Sequence, residues 1–433
     1  MRYQHCLLLL AFLGVGLTAC KKDKENAPPV ITIVSPGDAS TLTVPDTLLV
    51  TVNVSDDERV EQVTVSLLDA NYVPVTPAVS VTPMSNPATI TLALPVTSEQ
   101  LESGTYKLLA TATDGELSAK DIHTIQVSGV PLRLRMVYAV SATSTNAFAL
   151  YRIDSIGQVT LASSYDMDLG GADISSHAQR IFLAGSTTGP FLALDVDYLS
   201  TIWQRPNMSP SGLPWFTSVD LCSDEQVYVG DGNGVLHGYQ AVNGTGVLNA
   251  ALPVDFRSEE TLVVNDLLLC AVRHFVTGEQ RLAQFQRASG APQGSQPLGL
   301  TPVRMFERDA EHALIFGNQG GQGRVQDRNI LGGGSWEAYV WQSEVTAVAQ
   351  VGSSTWLVAL ADGDLQRFTY DNDGSLSIGS TPVLNDMSYD PASGAVFGGA
   401  NGQVLAIDPS SGAVISNFTV NGTVLKVLPL RNR

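Results

Sequence analysis

Residues 226–246 read QVYVGDGNGVLHGYQAVNGTG. Val227, Tyr228 and Val229 favour an extended chain, and Asp231-Gly232-Asn233-Gly234 supplies residues that tolerate positive φ, as a tight hairpin turn demands. A second short strand, Val235 to Tyr239, ends at another turn, Asn243-Gly244. This strand–turn–strand–turn unit predicts β structure, and copies of it return at intervals of about 43 residues.

The copies align on the strand that precedes the glycine turn. They are Met136–Ala139, Ile181–Gly185, Val227–Gly230, Leu267–Cys270, Leu314–Gly317, Trp356–Ala359 and Val396–Gly399. In each unit an inner strand such as Val345–Val351 comes first, then the landmark strand, then a turn such as Asp362-Gly363-Asp364 or Asn401-Gly402. A third strand follows, then a second turn such as Pro409–Gly412, then an outer strand. About four strands per unit at this period predict a seven-bladed β-propeller over residues 132–433. Irregular fourth and fifth units leave six or eight blades open. The first unit begins at its second strand, and Thr423–Leu430 has the pattern of an inner strand. The C-terminal strand is therefore expected to close the first blade and protect the sheet edges.

Gly402–Gly412, GQVLAIDPSSG, resembles the repeat of the quinoprotein-like propeller superfamily. That superfamily includes quinone-dependent alcohol dehydrogenases, YVTN-type surface propellers and the propeller lipoprotein of outer-membrane barrel assembly. The resemblance speaks for fold only. There is no set of Trp-Asp dipeptides and no sialidase Asp-box.

Composition agrees with an all-β chain. Hydrophobic residues make up 44% and charged residues 15%, enough apolar surface for a real core. Gly 39 and Pro 22 favour many short elements joined by turns. A net charge of −18 repels phosphate backbones, so no nucleic-acid partner is expected.

Residues 1–19 carry a targeting pattern: Arg2, then an apolar run from Cys6 to Leu17 too short to span a bilayer. The run ends in Leu17-Thr18-Ala19-Cys20, which resembles the lipobox of bacterial lipoproteins. The resemblance implies cleavage before Cys20 and a lipid on its thiol. Residues 20–29 then form a charged tether stiffened by Pro28-Pro29, and Lys21 after the cysteine implies the outer membrane, facing periplasm or cell surface. That leaves Cys222 and Cys270 in the body, where an oxidising compartment allows a disulfide and the apolar strand context allows buried free thiols.

Residues 30–128 are short alternating strands rich in Val, Thr and Leu, the pattern of a two-sheet sandwich. Gly104–Gly115, GTYKLLATATDG, resembles the penultimate strand of immunoglobulin-like and fibronectin-type domains, which implies a tyrosine-corner role for Tyr106. Asp56, Asp57, Glu58 and Asp114 could gather as calcium ligands, although acidic residues at strand ends usually form turns. The module is expected to act as a spacer.

Motifs that carry chemistry are sparse. The sequence holds no Gly-x-Ser-x-Gly, no His-Glu-x-x-His, no phosphate loop and no vicinal cysteine pair, so no catalytic residue and no cofactor is assigned. His123, His177, His237, His274 and His312 are scattered one per module or unit. The most suggestive surface is Asn318–Trp341, where Arg324, Gln326, Arg328, Trp336, Tyr339 and Trp341 combine guanidinium, amide and aromatic groups suited to a glycan or protein loop. Packing of Trp336, Tyr339 and Trp341 between blades is the competing reading, and Asp231, Asn233 and His237 read as hairpin chemistry. The expectation is an outer-membrane lipoprotein whose propeller is a non-catalytic binding or scaffolding module for a protein or glycan. The alternatives are a carbohydrate-active enzyme working at the axial mouth, with converging acids of shifted pKa, and an outer-membrane protein assembly factor.

Overall fold

The computed structural model describes residues 26–209, 213–372 and 374–432. Residues 1–19 and Cys20 lie outside the described residues. No helix among the described residues is long and apolar enough to cross a membrane. Chain contacts define two units, Met1–Pro131 and Leu132–Arg433.

The first unit is built from alternation. In Asp46–Ser55 the side chains of Leu48, Val50, Val52 and Val54 point inward and are buried, while Leu49 between them is exposed. A three-stranded sheet (Val30–Ser35, Asp46–Ser55, Ala88–Val96) and a five-stranded sheet that includes Gln62–Leu68, Gly104–Thr113 and Ser118–Ser128 enclose one core. Val50, Val63, Val65, Leu94, Leu108 and Ile125 are fully removed from water there. The Tyr106 hydroxyl donates to the carbonyl of Glu102, four residues upstream, which ties the chain where it enters its strand.

The second unit is a set of four-stranded antiparallel meanders. The first comprises Leu169–Ser175, Arg180–Gly185, Phe191–Asp195 and Thr201–Arg205, and four more follow the same order between Phe216 and Ser380. The sheets pack face to face, so their middle strands are covered on both sides and read as unbroken apolar runs. Phe182, Ala184 and Phe191 of one sheet meet Phe216, Val219 and Val229 of the next, and Tyr228 and Leu236 meet Leu268 and Cys270. Every landmark stretch of the sequence falls in the second strand of its set.

One sheet has six strands and joins the ends of the unit. Its two long strands, Ala395–Ile407 and Val414–Arg431, turn at Gly402 (φ +74°) and Gly422 (φ +87°). Residues 423–431 then run antiparallel beside Leu134–Ser144, pairing Val427 with Ala139 and Leu430 with Met136. The C-terminal strand thus stands first in a set completed by Leu134–Ser144, Ala147–Asp154 and Val159–Tyr165.

The first strands of all these sets lie side by side around an axis. Leu169–Ser175 touches Phe216–Leu221, followed by Phe256–Val264, Thr301–Asp309, Val345–Gly352 and Asp386–Asp390, and residues 423–431 complete the ring against Leu169–Ser175. A register shift interrupts most of these strands, at Ser258/Glu260, Pro302/Arg304 and Val424/Lys426 among others. Such a bulge adds twist and re-aims the side chains that follow it.

The outer turns use recurring chemistry. Asp408 Oδ1 accepts the backbone N–H groups of Ser410 and Ser411, and Gly412 N–H returns to the Asp408 carbonyl. The equivalent glycine at 244 has φ +71°, and a Cβ there would sit 2.4 Å from the Trp203 ring. Only glycine satisfies both conditions.

Candidate functional site

Charged side chains of six first strands converge on the axis. Asp173, Asp220, Glu260, Arg304, Asp386 and Lys426 each come from a different first strand. Three carboxylates reach across to the next strand of the ring. Asp173 Oδ2 accepts Leu221 N–H at 2.8 Å, Glu260 Oε1 accepts Met305 N–H at 3.0 Å, and Asp386 Oδ2 accepts Val427 N–H at 2.8 Å. In each case the acceptor bonds the residue just after the charged side chain of its neighbour. Two of those neighbours are cations: Arg304 Nε lies 3.4 Å from Glu260, and Lys426 Nζ lies 3.5 Å from Asp386.

At the third position the neighbour of Asp173 is Asp220, another acid. Asp220 Oδ2 is shielded from solvent and has no hydrogen-bond partner. Burial, with the added charges of Glu260 and Asp173, pushes its pKa up to about 8. Glu260 is raised to about 6 by burial, with Arg304 opposing the shift, and Asp173 is raised by burial as well. Burial alone would lower Arg304, but Glu260, Asp386, Asp173 and Asp220 outweigh it and hold the guanidinium charged.

A cavity of about 250 Å³ opens beside this belt. Asp173, Arg304, Asp386, Ser388 and Lys426 line its walls, and Ser176, His177 and Glu225, just beyond the ends of their first strands, line its rim. The arrangement is polar, of mixed charge, and mounted on rigid strands. It can hold a polar ligand through several hydrogen bonds at once.

The residues singled out in the sequence occupy other places. Trp341 is buried against Phe316, Phe368 and Tyr339, with its indole N–H donating to Ser375. Tyr339 also packs on Phe368. Arg328 is buried and donates to the Pro297 carbonyl, Arg324 pairs with Glu337, and the Gln326 side-chain carbonyl is buried without a partner. Trp336 alone is well exposed, beside His312 and Arg308. These six therefore do not converge on one surface. Asp231 Oδ1 accepts Asn233 and Val235 N–H groups, and its Oδ2 meets His237 Nε2 at 3.1 Å; this contact raises the His237 pKa.

Cys222 and Cys270 are free thiols, not a disulfide; both are buried, and burial pushes both well above the usual thiol range. Thr261 lies between them, its carbonyl 3.6 Å from one sulfur and its hydroxyl 4.0 Å from the other. Among the described residues no group of three or more His, Cys, Asp or Glu is placed to hold a metal ion. Asp114 is occupied by the N–H groups of Glu116 and Leu117 and by Asn26, while the backbone of Asp56 is held by Asn86.

The axial cluster was not singled out in the sequence because its members are one per repeat, separated by tens of residues. The available signal is a lone charge inside an apolar inner strand, as in Ala172-Asp173-Ile174, Val303-Arg304-Met305 and Leu425-Lys426-Val427.

Fold and site together define an all-β chain with an immunoglobulin-like domain and β-propeller repeats. Residues 29–127 match the family model of a bacterial Ig domain. No curated protein is matched by the chain. A quinoprotein alcohol dehydrogenase-like protein from Bacteroides thetaiotaomicron is similar at 11% identity and TM-score 0.49, over 93% of this chain and 99% of that one. BamB from Moraxella catarrhalis is similar at 14% identity and TM-score 0.41, over 68% and 92%. The WD40 β-propeller domain of Doa1 is similar at 11% identity and TM-score 0.46, over 62% and 94%.

Proposed function

We propose that this chain is an outer-membrane lipoprotein, anchored through a lipid on Cys20, whose seven-bladed propeller binds a protein or glycan without turning it over. The Ig-like module serves as the spacer between anchor and propeller. One observation carries the reading: at the axis, where a propeller gathers its chemistry, Asp173, Glu260 and Asp386 are spent on backbone N–H groups of the adjoining strand. They act as staples of the ring, and the cavity beside them offers a preformed polar surface. The count of seven is supported by treating residues 423–431 with Leu134–Tyr165 as one set and 386–420 as another.

The raised pKa values of Asp220 and Glu260 favour a second reading, acid–base catalysis on a carbohydrate. A single set of experiments separates the two. Membranes are solubilised, and partners co-purifying with the full chain are compared with those of Ser388→Trp, which fills the cavity and removes no charge. The binding reading expects loss of the partner with Ser388→Trp and release of the chain from membranes with Cys20→Ser. It is overturned if purified chain shortens polysaccharides with time and Asp220→Asn stops the release of reducing ends.

A further inference from the structure

A second concave site lies away from the axial cavity, on the face that carries the links into the first strands. A groove of about 350 Å³ is lined by Pro214, Phe216, Thr217, Glu259, Arg273 and Phe275, with Arg257 at its wall. Arg257 and Arg273 are direct cross-strand partners on the pair Phe256–Val264 and Leu267–His274. Like charges placed opposite one another on an antiparallel ladder repel, and this chain has few cations to spend, 24 against 42 acids. Among the described residues the acid paired with this arginine couple is Glu259, 3.9 Å from Arg273. Arg257 stacks over the Phe275 ring at 5.1 Å, and its buried Nε has no acceptor.

The Phe275 ring under Arg257 belongs to a pair of loops with exposed apolar side chains. Phe275 is 53% exposed, Val276 73% and Val254 85%, and the Phe275 N–H donates to Asp255, which fixes the two loops together. His274 stacks against Phe275 from behind at 5.8 Å. Arginine and aromatic side chains are both enriched in the cores of protein interfaces. The paired guanidiniums beside the exposed Phe275 ring match an acidic residue next to an apolar one, a combination that a peptide supplies.

We propose that this groove docks a peptide segment of a partner protein, presenting a carboxylate to Arg257 and Arg273 and an adjacent apolar side chain to Phe275. The carboxylate satisfies the excess positive charge, and bidentate guanidinium contacts fix its orientation.

Selection of random heptapeptides displayed on phage against the purified chain provides the probe. Enriched sequences should pair Asp or Glu with Leu, Phe or Trp, and a synthetic peptide of that sequence should bind. The double variant Arg257→Glu/Arg273→Glu should weaken it roughly thirtyfold. Replacing the peptide's acid by its amide should weaken binding by at least about tenfold, and that comparison leaves the protein unaltered, so a folding defect in the variant does not blunt the test. Ser388→Trp at the axial cavity should leave the affinity unchanged, which keeps this site separate from the one above. Enriched peptides without acids, peptide affinity indifferent to both changes, failure to enrich any sequence, or displacement of the peptide by an oligogalacturonate would each overturn the proposal. So would self-association of the chain that the arginine double variant abolishes.

Discussion

Removal of residues 423–433 is expected to abolish cooperative folding of the second unit while the first unit stays folded. The deleted strand carries Val424, Val427, Leu428 and Leu430, all buried. At about 1.5–3 kcal/mol for each fully buried side chain, they account for on the order of 10 kcal/mol, an upper estimate. A whole domain keeps only about 5–15 kcal/mol of net stability. The loss is larger than that burial alone, because Leu134–Ser144 loses one of its two ladder partners and Asp386 loses both Val427 N–H and Lys426. Calorimetry should show one transition where the intact chain shows two, and limited proteolysis should leave a fragment ending near Pro131. A truncated chain that melts like the original would mean the ring closes elsewhere.

Asp220→Asn should change how stability depends on pH. Asp220 has a folded pKa of about 8 against an ordinary value of 3.8, so the native state holds a proton that the unfolded chain has released. Between about pH 4 and pH 8 the native state binds more protons, and stability falls as pH rises through that window. Below it both states are protonated and the contribution is fully present; above it the contribution is lost. The charges acting on Asp220 are Glu260 and Asp173, on the two flanking first strands, which deepen the effect, and Arg304 and Lys426, which oppose it. Asparagine cannot ionise, so the variant should gain on the wild type as pH rises from 5 to 8.5, by on the order of a few kcal/mol. Melting temperature against pH for the two chains gives the measurement. Parallel profiles would show that Asp220 ionises normally and that the belt is not closed to water.

Much of this fold was legible in the chain because its determinants are local. Alternation along Asp46–Ser55 and Gly104–Thr113 sets the inward faces of a sandwich, and Asp408 and Gly412 dictate a turn from five consecutive residues. The pairing of 423–431 with Leu134–Ser144 spans nearly the whole unit, yet it was foreseeable, since a first repeat lacking its inner strand and a last strand without a repeat complement each other. The site was far less legible. Arg328 and Trp341 look like surface anchors in a glycine-rich stretch, but they are buried, Arg328 reaching Pro297 of the preceding sheet and Trp341 meeting Phe368 and Ser375 of the following one. Asp173, Glu260 and Asp386 acquire meaning only when separate repeats are wound around one axis. Arg257 and Arg273 are brought opposite each other by ladder register, which depends on a bulge at Ser258/Glu260 that no local residue pattern announces.

Hydrogen exchange of the native chain, followed by mass spectrometry, tests the closed ring most directly. Peptides covering 423–431 should exchange as slowly as those covering Leu134–Ser144 and Phe216–Leu221, and all should open together in one global step. A C-terminal peptide that exchanges within seconds while the other inner strands stay protected would contradict closure by the last strand and the staple made by Asp386.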